Sequence, residues 1–177
     1  GRFHEQQRRS IHMLAEIGCD GVMGYDDWGL QERLMVRPAM IEEFFMPHYR
    51  RNWDLAHSLG MDIWLHSCGY IIDLLPTFVD AGLDVVQMDQ QENMELENLD
   101  ERVGGRIAFW CPVDIQQTMV HGSIEDVERY VKRMIGTVGS HNGGLISMAY
   151  STPEAVHHTQ EKLMAMSAAF RKYGVYR

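Results

Sequence analysis

The stretch Gly60-Met61-Asp62-Ile63-Trp64-Leu65-His66-Ser67-Cys68-Gly69 carries the pattern that predicts the fold. A helical segment precedes it, and Gly60 is suited to end that helix because glycine tolerates the left-handed conformation. The glycine is followed by one residue, then an aspartate, and then a short apolar run. Related patterns, the last two looser, occur at Gly18-Cys19-Asp20, Gly82-Leu83-Asp84, Gly104-Gly105-Arg106 and Gly143-Gly144-Leu145. The chain therefore repeats a unit of helix, glycine turn and strand.

Five apolar runs predict strands at residues 21–26, 63–68, 85–89, 107–113 and 145–149. They lack clean alternation, which is typical of parallel strands buried on both faces. In the segments between them, apolar residues recur at helical spacing, most clearly in the segment after Ser123. Ser123 is a predicted N-cap, with Asp126 three residues later. Pro38 predicts the start of one long helix towards Leu59, and Pro153 predicts the first turn of the last helix.

Alternation of strands and helices predicts a parallel sheet covered by helices. No G-x-G-x-x-G follows the first strand, so a dinucleotide-binding sheet is not supported. A closed eight-unit barrel needs about 250 residues, whereas this chain has 177, a length that suits one domain. We predict an α/β fold, residues 1–177 forming a single domain. Its five units form either an open sheet or part of a (β/α)8 TIM barrel.

Composition excludes several classes of function. The formal net charge is -9, and the basic residues are scattered, which disfavours nucleic-acid binding. No run of about 18 apolar residues occurs, so no membrane span is expected. The three cysteines include no C-x-x-C pair, which argues against a disulfide framework and predicts a cytoplasmic protein.

Polar side chains follow the predicted strands where each strand ends. In parallel α/β folds the carboxyl ends of the strands form the active-site rim, so we expect a site there. The candidates are Tyr25, Asp26, Asp27, His66, Cys68, Gln87, Asp89, Cys111, Asp114, Gln116 and Tyr150.

His66 and Cys68 are the strongest of these candidates. They lie two residues apart on a strand and therefore point to the same face, where an imidazole and a thiolate can bind one zinc ion. A helix starting just after Cys68 would lower the pKa of its thiol. Catalytic zinc usually has three protein ligands, and Cys111 is the remaining cysteine near this rim. The alternative is that these cysteines are small buried apolar residues.

Asp26 and Asp27 have two interpretations from the residues alone. Either carboxylate could act as a general base or anchor a substrate. The other interpretation is that they cap the loop in which they lie, as aspartates often do.

Several motifs together resemble the uroporphyrinogen decarboxylase superfamily. They are Tyr25-Asp26-Asp27-Trp28-Gly29-x-Gln31, Arg37-Pro38, Pro47-His48-Tyr49, Leu65-His66-Ser67-Cys68-Gly69 and Phe109-Trp110-x-x-Val113-Asp114-Ile115-Gln116. The resemblance covers residues from about 18 to 174. It implies the C-terminal part of the family's (β/α)8 barrel, with about five of its βα units. One branch of that superfamily decarboxylates uroporphyrinogen without a cofactor, and the other contains zinc-dependent methyltransferases.

The H-x-C motif is typical of the methyltransferase branch, so the resemblance implies His66 and Cys68 as zinc ligands. Members of that branch usually take a third ligand from a cysteine near the last strand. Residues 145–150 contain none, and the resemblance leaves Cys111 as the substitute. It further implies a corrinoid protein as partner and a small-molecule methyl donor or acceptor. Asp26 is then the predicted catalytic residue, and the predicted substrate-binding residues are Tyr25, Asp27, Gln87, Asp114, Gln116 and Tyr150.

The sequence is also compatible with two other interpretations. A porphyrinogen decarboxylase would use Asp26 to face the pyrrole nitrogens. The third possibility is an inactive partial barrel that forms a homo-oligomer through its two open sheet edges.

Overall fold

The computed structural model describes residues 2–175, so residues 1, 176 and 177 of the predicted domain lie outside the described part. Within it, strands alternate with helices. The strands are β1 (Gly21–Tyr25), β2 (Asp62–His66), β3 (Val85–Gln87), β4 (Ala108–Cys111) and β5 (Leu145–Ser147). The helices are α1 (Arg2–Glu16), α2 (Pro38–Phe44), α3 (Met46–Ser58), α4 (Leu75–Asp80), α5 (Leu96–Val103), α6 (Thr118–His121), α7 (Ile124–Gly136) and α8 (Gln160–Tyr173). Short 3-10 turns span Gln91–Met94 and Pro153–Val156.

The five strands form one parallel sheet in the order β1-β2-β3-β4-β5. Parallel connections are right-handed, so a strand order without reversal puts the connecting helices on one face of the sheet. A doubly wound sheet would reverse its order at a switch point. The structure therefore confirms an α/β fold of the (β/α)8 TIM-barrel type, with five units.

The sheet has two chemically different faces. Leu65 of β2 aligns with Val86 of β3 and then with Phe109 of β4, and all three are buried in the core beneath the helices. The alternate positions point away from the helices. Among them His66 aligns with Gln87 of β3. The second face, which lies inside a barrel of this type, therefore carries the polar groups.

A capping box at the start of α7 confirms the prediction made from Ser123. The Ser123 hydroxyl accepts a hydrogen bond from the Asp126 N–H, and the Asp126 carboxylate accepts one from the Ser123 N–H. These bonds satisfy backbone donors that the helix leaves free at its N-terminus.

Two predicted helices differ from the structure. The helix expected from Pro38 to Leu59 is divided at Phe45 into α2 and α3. The cause is Pro47, because a proline inside a helix removes a hydrogen bond and its ring clashes with the preceding turn. Pro153 begins a 3-10 turn rather than the last helix. That helix begins at Gln160, behind Thr159, whose side chain accepts from the Lys162 N–H.

None of the helices in residues 2–175 combines the length and apolar character that a membrane span requires.

Candidate metal centre

Three side chains meet at the carboxyl end of β2. They are Asp27, His66 and Cys68, and each offers a ligand atom within 4.8 Å of the other two. The His66 Nε2 atom lies 3.3 Å from the Cys68 Sγ atom and 3.4 Å from the Asp27 Oδ1 atom. In the described part of the chain this is the single group of this kind.

The end of β2 determines how the His66 and Cys68 side chains are presented. His66 is the last residue of the strand, and the buried Ser67 follows it. The Ser67 N–H still donates to the Gln87 carbonyl, at 3.1 Å, and its hydroxyl accepts from the Trp28 N–H, also at 3.1 Å. Both predicted ligands therefore emerge on one side of the sheet, as their spacing predicts.

Asp27 reaches this pair because the loop after β1 crosses the loop after β2. The Gly29 N–H donates to the Cys68 carbonyl at 3.1 Å, and the Tyr70 N–H donates to the Leu30 carbonyl at 2.7 Å. The Asp27 Oδ1 atom also accepts from the Cys68 N–H at 2.9 Å. The crossing thus holds a carboxylate above the strand end.

Only glycine fits at this crossing. A Cβ atom on Gly29 would lie 2.4 Å from the Tyr70 nitrogen, and one on Gly69 would lie 2.4 Å from the Gly29 carbonyl carbon. Gly69 also has a φ of +78°, in the region that disfavours residues with a side chain. The two glycines of the D-D-W-G and H-S-C-G motifs therefore have a shared steric role.

The electrostatics of Cys68 differ from the sequence-based prediction. Burial, together with the negative charges of Asp27 and Asp89, raises the pKa of the Cys68 thiol to about 11. The expected helix terminus is not there, because the next helix, α4, begins only at Leu75. Without a nearby cation the thiol is protonated at neutral pH.

Gln87, on the neighbouring strand β3, aligns with His66. It is buried, and its Oε1 atom contacts the His66 Nδ1 atom. Its Nε2 atom donates to the Asp89 carboxylate at 3.0 Å and to the Met148 sulfur at 3.2 Å. Asp89 itself is partly buried, and this burial raises the pKa of its carboxyl group. Gln87 was predicted to bind substrate, and its side chain contacts three residues around the cluster, His66, Asp89 and Met148.

Tyr25, another predicted substrate-binding residue, lies on the same side as the cluster. Its ring centroid is 5.7 Å from that of His66, and the residue is 70% exposed. It therefore borders the open side of the cluster, where a bound molecule would approach.

Asp26 points away from the cluster. Alternation along β1 puts it opposite Tyr25, and its Oδ2 atom accepts a 2.5 Å hydrogen bond from the Tyr49 hydroxyl of α3. The same hydroxyl accepts from the Trp28 indole at 3.2 Å. Burial and the Asp26 carboxylate raise the Tyr49 pKa well above its usual range. The residue predicted to be catalytic thus contacts the helix layer, whereas Asp27 joins His66.

Cys111 is not brought to the His66–Cys68 pair. It shares a face of β4 with Phe109, and both are part of the core. Trp110, between them, is on the other face, where it aligns with Gln87 and, through that residue, with His66. Burial raises the pKa of the Cys111 thiol to about 12. The third side chain beside His66 and Cys68 is that of Asp27.

Asp114 and Tyr150 were predicted to bind substrate. The Asp114 carboxylate accepts from the N–H groups of residues 116–118 and from the Thr118 hydroxyl, at 2.8–3.2 Å. It therefore caps the turn that leads into α6. The Tyr150 ring packs edge-on against buried His158, with centroids 6.4 Å apart.

Gln116, the last predicted substrate-binding residue, belongs to a group of carboxamides on the rim. The Gln31 amide donates to the Gln116 and Asn93 side chains at 3.1 Å each, and the Gln90 amide donates to Gln31 at 3.4 Å. The Gln90 oxygen accepts from the Gly69 N–H at 2.9 Å. The group thus connects the loop after β4 with the loop beside Cys68.

The sequence analysis assigned no role to Asp89, to Met148 or to the carboxamides other than Gln116. The sequence does contain a sign of Asp89, because Asp89 lies two residues after Gln87 at a strand end. The same spacing identified His66 and Cys68 as candidates. The carboxamides come from separate loops, so only the folded chain brings them together.

Comparison with known proteins gives a family and a fold. Residues 5–173 match a family model described as uroporphyrinogen decarboxylase (URO-D). No match was found among curated proteins. A solved structure of D-psicose 3-epimerase with D-tagatose, from Clostridium cellulolyticum H10, is similar with a TM-score of 0.55 and 12% identity, over 98% of this chain and 70% of that chain. At such low sequence identity the structural similarity shows a shared fold and nothing about function.

A second solved structure is a putative 2-pyrone-4,6-dicarboxylic acid hydrolase from Pseudomonas putida. Its TM-score is 0.48 and its identity 15%, over 95% of this chain and 68% of that chain.

Proposed function

The chain belongs to the uroporphyrinogen decarboxylase family, and on this premise we propose that it is a zinc-dependent methyltransferase of that family. It would move a methyl group between a corrinoid carried by a partner protein and a small thiol or similar acceptor. The observation that carries this proposal is the cluster of Asp27, His66 and Cys68 at the carboxyl end of β2.

The donor set and its spacing fit a zinc ion. Zinc accepts imidazole nitrogen, thiolate sulfur and carboxylate oxygen, at bond lengths of about 2.0–2.3 Å. In a tetrahedral site such bonds separate the ligand atoms by about 3.4–3.6 Å. The His66 Nε2 atom lies 3.3 Å from the Cys68 Sγ atom and 3.4 Å from the Asp27 Oδ1 atom. Little rearrangement would be needed to hold the ion.

Three protein ligands leave one coordination position for a substrate, as catalytic zinc sites require. A zinc ion bound there would supply Lewis-acid chemistry that lowers the pKa of a thiol acceptor. Cys68 would have to release its proton, since its thiol pKa is about 11 without a metal. Tyr25 borders the open side, so it is placed to contact the acceptor.

The placement of Asp26 favours methyl transfer over porphyrinogen decarboxylation. A decarboxylase would need this carboxylate to face the pyrrole nitrogens of its substrate. Here it is hydrogen-bonded to Tyr49 and lies on the helix side of β1. Asp27, which does face the open side, lies beside His66 and Cys68 instead.

Zinc content is the first test. Purified protein is loaded with zinc, dialysed against metal-free buffer and analysed by mass spectrometry of the metal. Wild type is expected to retain about one zinc per chain, and Asp27→Asn, His66→Ala and Cys68→Ser are each expected to bind at least about tenfold more weakly. The matched control is Cys111→Ser, which changes a cysteine on the other face of the sheet and should retain zinc.

Equal zinc content in wild type and in the His66 and Cys68 variants would overturn the proposal. The reaction is then tested by mixing the zinc-loaded protein with methylcobalamin and a small thiol and following loss of the methyl–cobalt absorbance. Turnover of uroporphyrinogen instead of methylcobalamin would assign the chain to the decarboxylase branch.

A further inference from the structure

We propose that Gln87 is a positioning residue that holds His66 in the tautomer with the proton on Nδ1. The Nε2 lone pair then faces Cys68 and Asp27. This inference rests on the proposed zinc site, whose ligand atom from His66 it specifies.

The contact between the two side chains follows from the sheet register. His66 ends β2 and aligns with Gln87 at the end of β3, so both side chains extend from the same face at the same height. Gln87 is 5% exposed, and its Oε1 atom contacts the His66 Nδ1 atom. Water therefore has little room to compete for that nitrogen.

The orientation of the Gln87 amide is determined by its other neighbours. Its Nε2 atom lies 3.0 Å from the Asp89 Oδ1 atom and 3.2 Å from the Met148 sulfur. A carboxylate and a thioether are both hydrogen-bond acceptors, so they require the NH2 group of the amide on their side. The reversed amide would place its oxygen against both of them.

The proton on His66 follows from this orientation. The amide oxygen of Gln87 can only accept, so the His66 nitrogen that contacts it must donate. Nδ1 is therefore protonated and unavailable to a metal. In the neutral ring Nε2 then carries the lone pair, which accepts a hydrogen bond from the Cys68 thiol at 3.3 Å, and the Asp27 Oδ1 atom lies 3.4 Å away.

The consequence is a chain of contacts in which residues at the ends of β3 and β5 hold the His66 side chain of β2. The side chain of Met148, just after β5, and that of Asp89, after β3, hold the Gln87 amide, and that amide holds the imidazole on β2. Groups of this kind tune metal sites by orienting the ligand, and their loss typically weakens metal binding by about 10- to 100-fold.

Two variants separate this role from a packing role. Gln87→Met keeps the length and approximate volume of the side chain but removes the accepting oxygen. Gln87→Glu keeps an acceptor for the His66 Nδ1 proton. Thermal unfolding is measured on both, so that the comparison uses folded protein.

The main readout is the tautomer of His66 in the zinc-free protein, from imidazole ¹⁵N chemical shifts at about pH 8, where an ordinary histidine is neutral. The His66 signals are identified by their loss in His66→Ala. Wild type and Gln87→Glu are expected to show the proton on Nδ1, whereas Gln87→Met is expected to show the other tautomer in substantial amount. Zinc affinity should fall by about 10- to 100-fold in Gln87→Met and by much less in Gln87→Glu.

A proton on Nε2 in the wild type would overturn the inference, as would a Gln87→Met variant with unchanged tautomer and zinc affinity. The two proposals fail separately. If the wild type carries the proton on Nδ1 but binds no zinc, the Gln87 assignment is supported and the proposed function is overturned.

Discussion

At the scale of single residues, two cysteines at the carboxyl ends of β2 and β4 have different environments. Cys68 is half-buried beside two carboxylates, and Cys111 is fully buried in the core. Both thiol pKa values are raised, to about 11 and about 12, with burial as the largest cause in each case. Of these two cysteines, only Cys68 can meet a reagent or a metal ion without unfolding of the chain.

Alkylation by iodoacetamide tests this difference. At about pH 8 a thiol of pKa about 11 is ionised to roughly one part in a thousand, against about a quarter for an ordinary cysteine. The zinc-free protein should therefore label slowly at Cys68, with a rate that rises about tenfold per pH unit up to about pH 10. Cys111 should label only after denaturation. Peptide mass spectrometry follows each site.

Partly exposed Cys19 provides an internal reference in the same sample. A Cys68 rate that levels off below about pH 9, or native labelling of Cys111, would contradict the assigned environments.

The residue scale also shows what the sequence could predict of the site. Two residues of separation on a strand suffice to place His66 and Cys68 together. The choice between Asp26 and Asp27 depends on a loop crossing that involves residues distant in the chain. The face of Cys111 could not be predicted, because β4 is apolar on both sides and its pattern carries no sign of direction.

At the scale of elements, the crossing of the two loops at Gly29 and Gly69 supports the candidate metal centre. The Gly29→Ala change would place a methyl group 2.4 Å from the Tyr70 nitrogen, which is backbone and cannot move alone. We expect it to lower the free energy of unfolding by about 1–3 kcal/mol, as overpacking does. Urea denaturation measures the change, and zinc affinity should fall with it because Asp27 is displaced.

The matched control is Gly136→Ala at the end of α7, where a Cβ atom would meet no other atom within 4 Å. This variant should be as stable as wild type or up to about 1 kcal/mol more stable, as in a helix. If both variants unfold at the same urea concentration, the crossing is not sterically constrained.

Helices and strands were predicted correctly where interactions between residues close in sequence determine where they begin. The glycine turns and the Ser123 cap act within a few residues, so strand positions and the start of α7 follow from sequence. The strands end two residues before the predicted boundaries at His66, Gln87, Cys111 and Ser147. After β3 and β4 the buried apolar residues Met88 and Val113 continue the pattern beyond the ladder, and hydrophobicity alone does not distinguish such core residues from strand residues.

At the scale of the whole molecule, the sheet of residues 2–175 is open. Its edge strands are β1 and β5, and the face opposite the helices carries exposed apolar side chains, such as Tyr25 and Ile146. Unpaired parallel edges beside apolar surface favour association with another chain. We therefore predict that this polypeptide forms a homo-oligomer, which was the third hypothesis from the sequence.

Light scattering coupled to size-exclusion chromatography measures this association. The 177-residue chain, of 20.4 kDa, is expected to elute as a dimer or larger species at micromolar concentration. Ile146→Lys places a charge at the β5 edge and should shift the distribution towards monomer. Lys132→Arg, on the outer helix layer, serves as the control. A wild type that remains monomeric and unfolds cooperatively would contradict the prediction.

The crossing at Gly29 and Gly69 also bears on how freely the site can vary. Two of its hydrogen bonds, from Gly29 to Cys68 and from Tyr70 to Leu30, join main-chain atoms, and the side chains of Glu32, Arg33 and Met35 in the same loop are exposed. Those three positions can therefore change identity while the backbone that carries Asp27 keeps its course. Substitutions at these positions, natural or made in the laboratory, would alter the exposed surface of the loop while Asp27, His66 and Cys68 keep their arrangement.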